Sequence, residues 1–153
     1  MTNSQLLIVD SMLQSGSFDE AHALLSQIIS DRETGPQVKA DAYVWLGTLA
    51  RIHPASSPDD ESGLTHYLKA LECNPNEVWA MIGIIESFGG HFPDHQKVAL
   101  VREFAPRVLQ LDGELSETVR ASIISKLDLC ESVLRQQTNA QKNAQPDNDK
   151  PGE

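Results

Sequence analysis

The sequence predicts an all-α chain, an α-solenoid of about three stacked helix pairs closed by a C-terminal capping helix. Two observations predict it. Apolar residues recur at three- and four-residue spacing along most of the chain, first as Leu6, Val9, Met12 and Leu13, then as Ala21, Leu24, Leu25, Ile28 and Ile29. Helix-breaking residues interrupt that pattern at near-regular intervals, at Gly16, Gly35-Pro36, Pro54, Pro75 and Gly89-Gly90. A helix pair this short cannot bury its own apolar stripe, so pairs must stack on one another.

The first helix is expected from Ser4 to about Ser15. Gly16 suits the left-handed conformation that closes it, and Ser17 with Glu20 has the spacing of a capping box for the second helix, Ser17 to about Asp31. Gly35 then reads as a helix C-cap and Pro36 as the first residue of a third helix reaching about Ile52. After the His53 to Pro58 loop, Pro58, Asp59 and Asp60 mark the start of a fourth helix ending near Cys73, and Asn74-Pro75 reads as the cap and first turn of a fifth, running to Phe88. The sixth segment, His95 to Asp112, contains Pro106, which lacks an amide hydrogen and predicts a kink or a split. The last helix is expected from Leu115 or Ser116 to about Gln136. Residues 1–137 then form the folded domain. Residues 138–153 are rich in Gln, Asn, Lys, Asp and Pro, with no hydrophobic side chain larger than that of Ala to pack in a core, and are expected to be a disordered polar tail.

Composition narrows the function classes. At 153 residues with a net charge of -10, the chain is one acidic domain whose surface repels nucleic-acid phosphates and anionic membranes. The apolar run Leu6 to Val9 is too short for an export signal or a membrane span, so a cytoplasmic location is the expectation. Cys73 and Cys130 lie far apart within helical patterns and read as reduced, packed thiols.

The residues at the crossings identify a resemblance. Tyr43, Leu46 and Gly47 followed by Gly63, Tyr67, Ala70 and Pro75 resemble a tetratricopeptide repeat (TPR). Gly16, Phe18, Ala21, Leu25 and Ile28 resemble the preceding repeat, and Trp79, Ile82, Gly83, Val101, Ala105 and Val108 the following one. In such repeats Gly47 and Gly83 permit close helix approach, and Tyr67 and Phe18 fill the wedge between pairs.

The resemblance implies a concave groove lined by the first helix of each pair. Its candidates are Asn3, Leu6, Asp10 and Leu13, then Asp41, Val44, Trp45, Thr48 and Arg51, then Ala80, Met81, Ile84 and Phe88. Leu6 and Asp10 stand where one subclass carries a Lys and an Asn that grip a partner's C-terminal carboxylate, so that clamp is absent. The set suits an apolar or amphipathic segment of a protein partner, with Asp10 and Asp41 favouring a basic flank. Trp45 and Phe88 fit either the groove or the packing between helices. On the groove reading, Trp45→Ala and Met81→Glu would abolish partner capture while helicity persists.

Enzyme chemistry finds no foothold in the sequence. His91 and His95 are four apart but sit among Gly89, Gly90 and Pro93, which point to a loop. Asp59-Asp60-Glu61 suits a helix start better than a cation site, and His22 and His66 are solitary. No phosphate-binding loop or nucleophile motif is present, and no metal or cofactor is expected. The expected function is a non-enzymatic interaction module: an adaptor, scaffold or chaperone-like protein. The rival is a structural subunit of a larger or self-associating assembly, and the oligomeric state stays open.

Overall fold

A computed structural model describes residues 3–59, 63–87, 95–111 and 115–144. The described residues form seven α-helices and no strand: α1 (Asn3–Gln14), α2 (Phe18–Ser30), α3 (Pro36–Ile52), α4 (Leu64–Cys73), α5 (Val78–Glu86), α6 (His95–Leu109) and α7 (Glu117–Ala144), with a 3-10 turn at Pro54–Ser56. Each helix packs on the next. α1 also touches α3, α3 touches α5, and α5 touches α7.

The punctuation works as chemistry requires at some joints and differently at others. Gly16 takes φ of 80°. There Ser17 N–H donates to the Met12 carbonyl at 2.8 Å and Gly16 N–H to that of Leu13 at 3.3 Å, the paired closure that a left-handed residue allows. The capping box expected next to it is not made. Ser17 gives α2 no side-chain cap and instead lies 3.3 Å from the Ser15 hydroxyl. Ser116 is the residue that caps in this way, its Oγ accepting from the Val119 amide at 3.2 Å.

Four other boundaries differ from expectation. Gly35 is the N-cap of α3 rather than the C-cap of α2, because Asp31 already turns the chain by accepting the Glu33 amide on its side chain. Asn74 does likewise at the end of α4. Its Oδ1 takes the Asn76 amide at 3.1 Å, so Asn74 to Glu77 is a turn and α5 begins only at Val78. α4 begins at Leu64, after Gly63 at φ of 76°, not at Pro58; Asp60 and Glu61 lie outside the described residues. At Pro106, where a kink or a split was expected, α6 is a single helix, so the split does not occur. α7 continues past Gln136 to Ala144, so residues 138–144 are helical where a disordered tail was expected. Residues 145–153, the rest of that tail, fall outside the described residues, as does His91.

Two apolar clusters form the core, and α3 serves both. Leu6, Val9, Ala21, Leu25 and Ile28 meet Ala42 and Leu46 of α3 in the first. The second joins Ala40 of α3 to Tyr67, Ala80 to Ile85, Val101, Phe104, Ile123 and Cys130. α5 is buried over Ala80 to Ile85, as a helix apolar all round must be.

Cys130 is buried and Cys73 half-buried, both as free thiols, and burial pushes the Cys130 thiol up. Phe18 stacks on His53 with ring centroids 4.7 Å apart.

α7 is held to the end of α5 by polar contacts. Lys126 Nζ donates to Glu86 Oε2 at 2.7 Å and to Ser122 Oγ at 3.0 Å, and Ser122 Oγ donates to Glu86 Oε1 at 2.9 Å. Glu86 ends α5, where the helix dipole disfavours an anion, and Lys126 offsets that charge in a largely buried setting. Lys126→Ala should therefore cost about 1–3 kcal/mol in urea unfolding. Adding Glu86→Gln should recover part of the loss, because no unpaired charge is then left behind.

Candidate functional site

The groove is built on α3 and α5. Along α3, Asp41, Val44, Trp45, Thr48 and Arg51 share one face at helical spacing, and all five line a cavity of about 520 Å³. Leu6 of α1 closes one side. The other side is Glu77, Trp79, Ile82 and Gly83, and Tyr67 of α4 is the floor.

The floor depends on two glycines. Tyr67 is 1% exposed, and its ring lies where a Cβ at either Gly47 or Gly83 would intrude: such an atom would sit 2.7 Å and 2.4 Å from it, respectively. Gly63 brings α4 against α3 in the same way, since a Cβ there would meet the Gly47 carbonyl. The Tyr67 hydroxyl lies 3.3 Å from Thr48 Oγ1, which also donates to the Val44 carbonyl at 3.0 Å, so the ring is fixed from both ends.

One end of the groove is acidic. Gln37 Nε2 donates to Asp41 Oδ1 and to Glu77 Oε2, each at 2.9 Å, and Gln37 Oε1 accepts from Asn74 Nδ2 at 2.7 Å. Glu77 is only 6% exposed. Burial and the neighbouring Glu77 raise the Asp41 carboxyl above its ordinary value, with the Gln37 hydrogen bond opposing them. At the other end, Arg51 donates to the Glu86 carbonyl at 3.2 Å.

The raised Asp41 value has a pH consequence. The folded state holds this proton more tightly than the unfolded chain, so Asp41 favours folding at low pH, and that contribution is lost as pH rises through the folded-state value. Asp41→Asn removes the penalty and keeps an acceptor for Gln37. The variant should melt above the wild type at pH 7, and the gap should close at about pH 3, below the ordinary carboxylate range.

Of the sequence candidates, Leu6, Asp41, Val44, Trp45, Thr48 and Arg51 come together around the cavity. Met81 and Ile84 do not. They are 3% and 2% exposed and belong to the same buried cluster as Val101, Ile123 and Cys130, because α4, α6 and α7 all pack on α5; Ala80 is buried with them. Asp10 and Leu13 also lie off the cavity. Asp10 is exposed and accepts from Gln14 Nε2 at 3.2 Å, and Leu13 packs into the first cluster. Phe88 falls outside the described residues, as does the side chain of Asn3.

Trp45 resolves in both directions at once: half-buried, it packs on the first cluster and also faces the cavity. Glu77, Trp79, Ile82 and Gly83 are the wall residues of α5 and its cap that the sequence reading missed as groove residues. Trp79 is 61% exposed, next to a helix interior that is otherwise buried.

Comparison with family models, curated proteins and solved structures gives no match. The site therefore stands on its own geometry. Among the described residues, no group of three His, Cys, Asp or Glu side chains is placed to hold a metal ion, and no helix is long and apolar enough to cross a membrane.

Proposed function

We propose that this protein is a non-enzymatic interaction module of the TPR type that binds an apolar or amphipathic segment of a protein partner in the groove between α3 and α5. The observation that carries this reading is Trp79, a large aromatic side chain left 61% exposed at the rim of a cavity whose walls include Trp45, Val44, Leu6 and Ile82. Exposed tryptophan beside a concave apolar surface is the residue type and setting in which binding energy concentrates.

The helix contacts support the repeat-array part of the proposal. Each helix packs on the next, and the first, third, fifth and seventh touch in sequence, as an array of helix pairs sharing one inner layer would require. The glycines that admit Tyr67 support it as well, since they set the close crossing between neighbouring pairs. The experiment is affinity capture with crosslinking. Wild type and Trp79→Ala are compared, and the crosslinked residues on this chain are mapped. Crosslinks confined to the α3 and α5 walls and lost in Trp79→Ala are the expected result. Partners that crosslink elsewhere, or that Trp79→Ala captures equally well, would overturn the reading.

A further inference from the structure

The groove is apolar along its walls but carries two carboxylates, Asp41 and Glu77, at one end. Both accept from the same Gln37 amide nitrogen, which places their charges side by side. Among the described residues no Lys, Arg or His pairs with either. Glu77 is held there by burial, and Gln37 is itself anchored by Asn74, so the pair is fixed before anything binds. The cationic side chain on this wall, Arg51, is instead engaged at the Glu86 carbonyl of α5.

We infer that the Asp41–Glu77 end is the seat for a basic side chain, an arginine or lysine set within an otherwise apolar segment of the partner, with Trp79 and Trp45 taking the apolar residues beside it. This rests on the groove reading above and sharpens it to one partner chemistry. A neutral apolar segment would bury the half-exposed Asp41 carboxylate, beside the already buried Glu77, against hydrocarbon, which desolvates charge without return, whereas a guanidinium or ammonium restores an opposite charge at hydrogen-bonding range. Trp45 and Trp79 line the same cavity, and a tryptophan ring is the side chain best suited to receive a cation on its face. The raised Asp41 carboxyl fits this arrangement, since it marks a charge that is partly desolvated and sits beside a second carboxylate. With Arg51 at the opposite end, the groove also carries a polarity, so the basic residue sets the direction in which the segment lies.

The test is selection of random twelve-residue peptides by display on the full-length wild type, on the Asp41→Asn/Glu77→Gln double variant and on Trp79→Ala. Circular dichroism confirms that all three are helical. If the double variant does not fold, Asp41→Asn alone takes its place, because Asp41 is the more exposed carboxylate. The expected result is that wild type enriches apolar peptides with one Arg or Lys at a constant position. The carboxylate variant should bind those same synthetic peptides at least tenfold more weakly, and replacing the basic residue by norleucine should cost wild type a similar factor. Enrichment of apolar peptides without a basic residue, still lost in Trp79→Ala, would overturn the basic seat and leave the groove reading intact. Enrichment of no peptide, or equal enrichment by Trp79→Ala, would overturn both.

Discussion

Tyr67→Ala should be among the most destabilising single changes in this chain, costing about 3–5 kcal/mol, the range for truncating a buried aromatic residue. The ring is fully enclosed, it belongs to the larger apolar cluster, and it fills the space that two glycines on different helices leave open. Urea unfolding followed by circular dichroism measures the loss.

A companion change makes the test sharper than a single number. In the wild type, Gly83→Ala places a Cβ about 2.4 Å from the Tyr67 ring, an overlap that forces a shift. Overpacking of this kind costs about 1–3 kcal/mol, which offsets or exceeds the roughly 1 kcal/mol that alanine contributes to a helix over glycine. In the Tyr67→Ala background the obstruction is gone and only the helix preference remains. Gly83→Ala should then stabilise the protein by up to about 1 kcal/mol. A cost of the same sign and size in both backgrounds would show that Gly83 is not there to admit the ring.

The second large effect is on binding. Trp79→Ala should leave the free energy of unfolding within about 0.5 kcal/mol of wild type, because the side chain is mostly in solvent and alanine suits a helix. The same change should weaken a groove-bound peptide by about 2 kcal/mol or more, which is about thirtyfold in Kd. Titration of a display-selected peptide against both proteins, read by calorimetry, separates the two quantities.

Trp45→Ala should reduce both stability and affinity, since that ring also packs on the cluster shared by α1, α2 and α3. Met81→Glu, which the sequence alone would class as a groove lesion, should act on folding instead. It places a carboxylate where Met81 is 3% exposed, among residues that offer it no partner. A Met81→Glu protein that keeps its wild-type stability would contradict the burial of Met81 in the larger apolar cluster.

Much of the groove was legible from α3. Asp41, Val44, Trp45, Thr48 and Arg51 repeat at three and four residues, Pro36 starts the helix where a proline is tolerated, and Ile52 ends it before His53-Pro54, so one face could be read directly. α5 offered no such guide. Val78-Trp79-Ala80-Met81-Ile82-Gly83-Ile84-Ile85 is apolar at every position, and a helix without a polar face does not declare which side meets which neighbour.

Sequence by itself determined the helical class, most of the helix spans and the left-handed turn at Gly16, because these depend on local backbone preference and on the spacing of apolar side chains. Only the tertiary structure decided that Met81 and Ile84 are buried in the core while Trp79 is left at the rim, and that Gln37 gathers Asp41 and Glu77 at one end. Those outcomes depend on the rotation of α5 about its own axis. That rotation is set by the helices packed around it, which are distant in sequence and leave no period in the chain to be read.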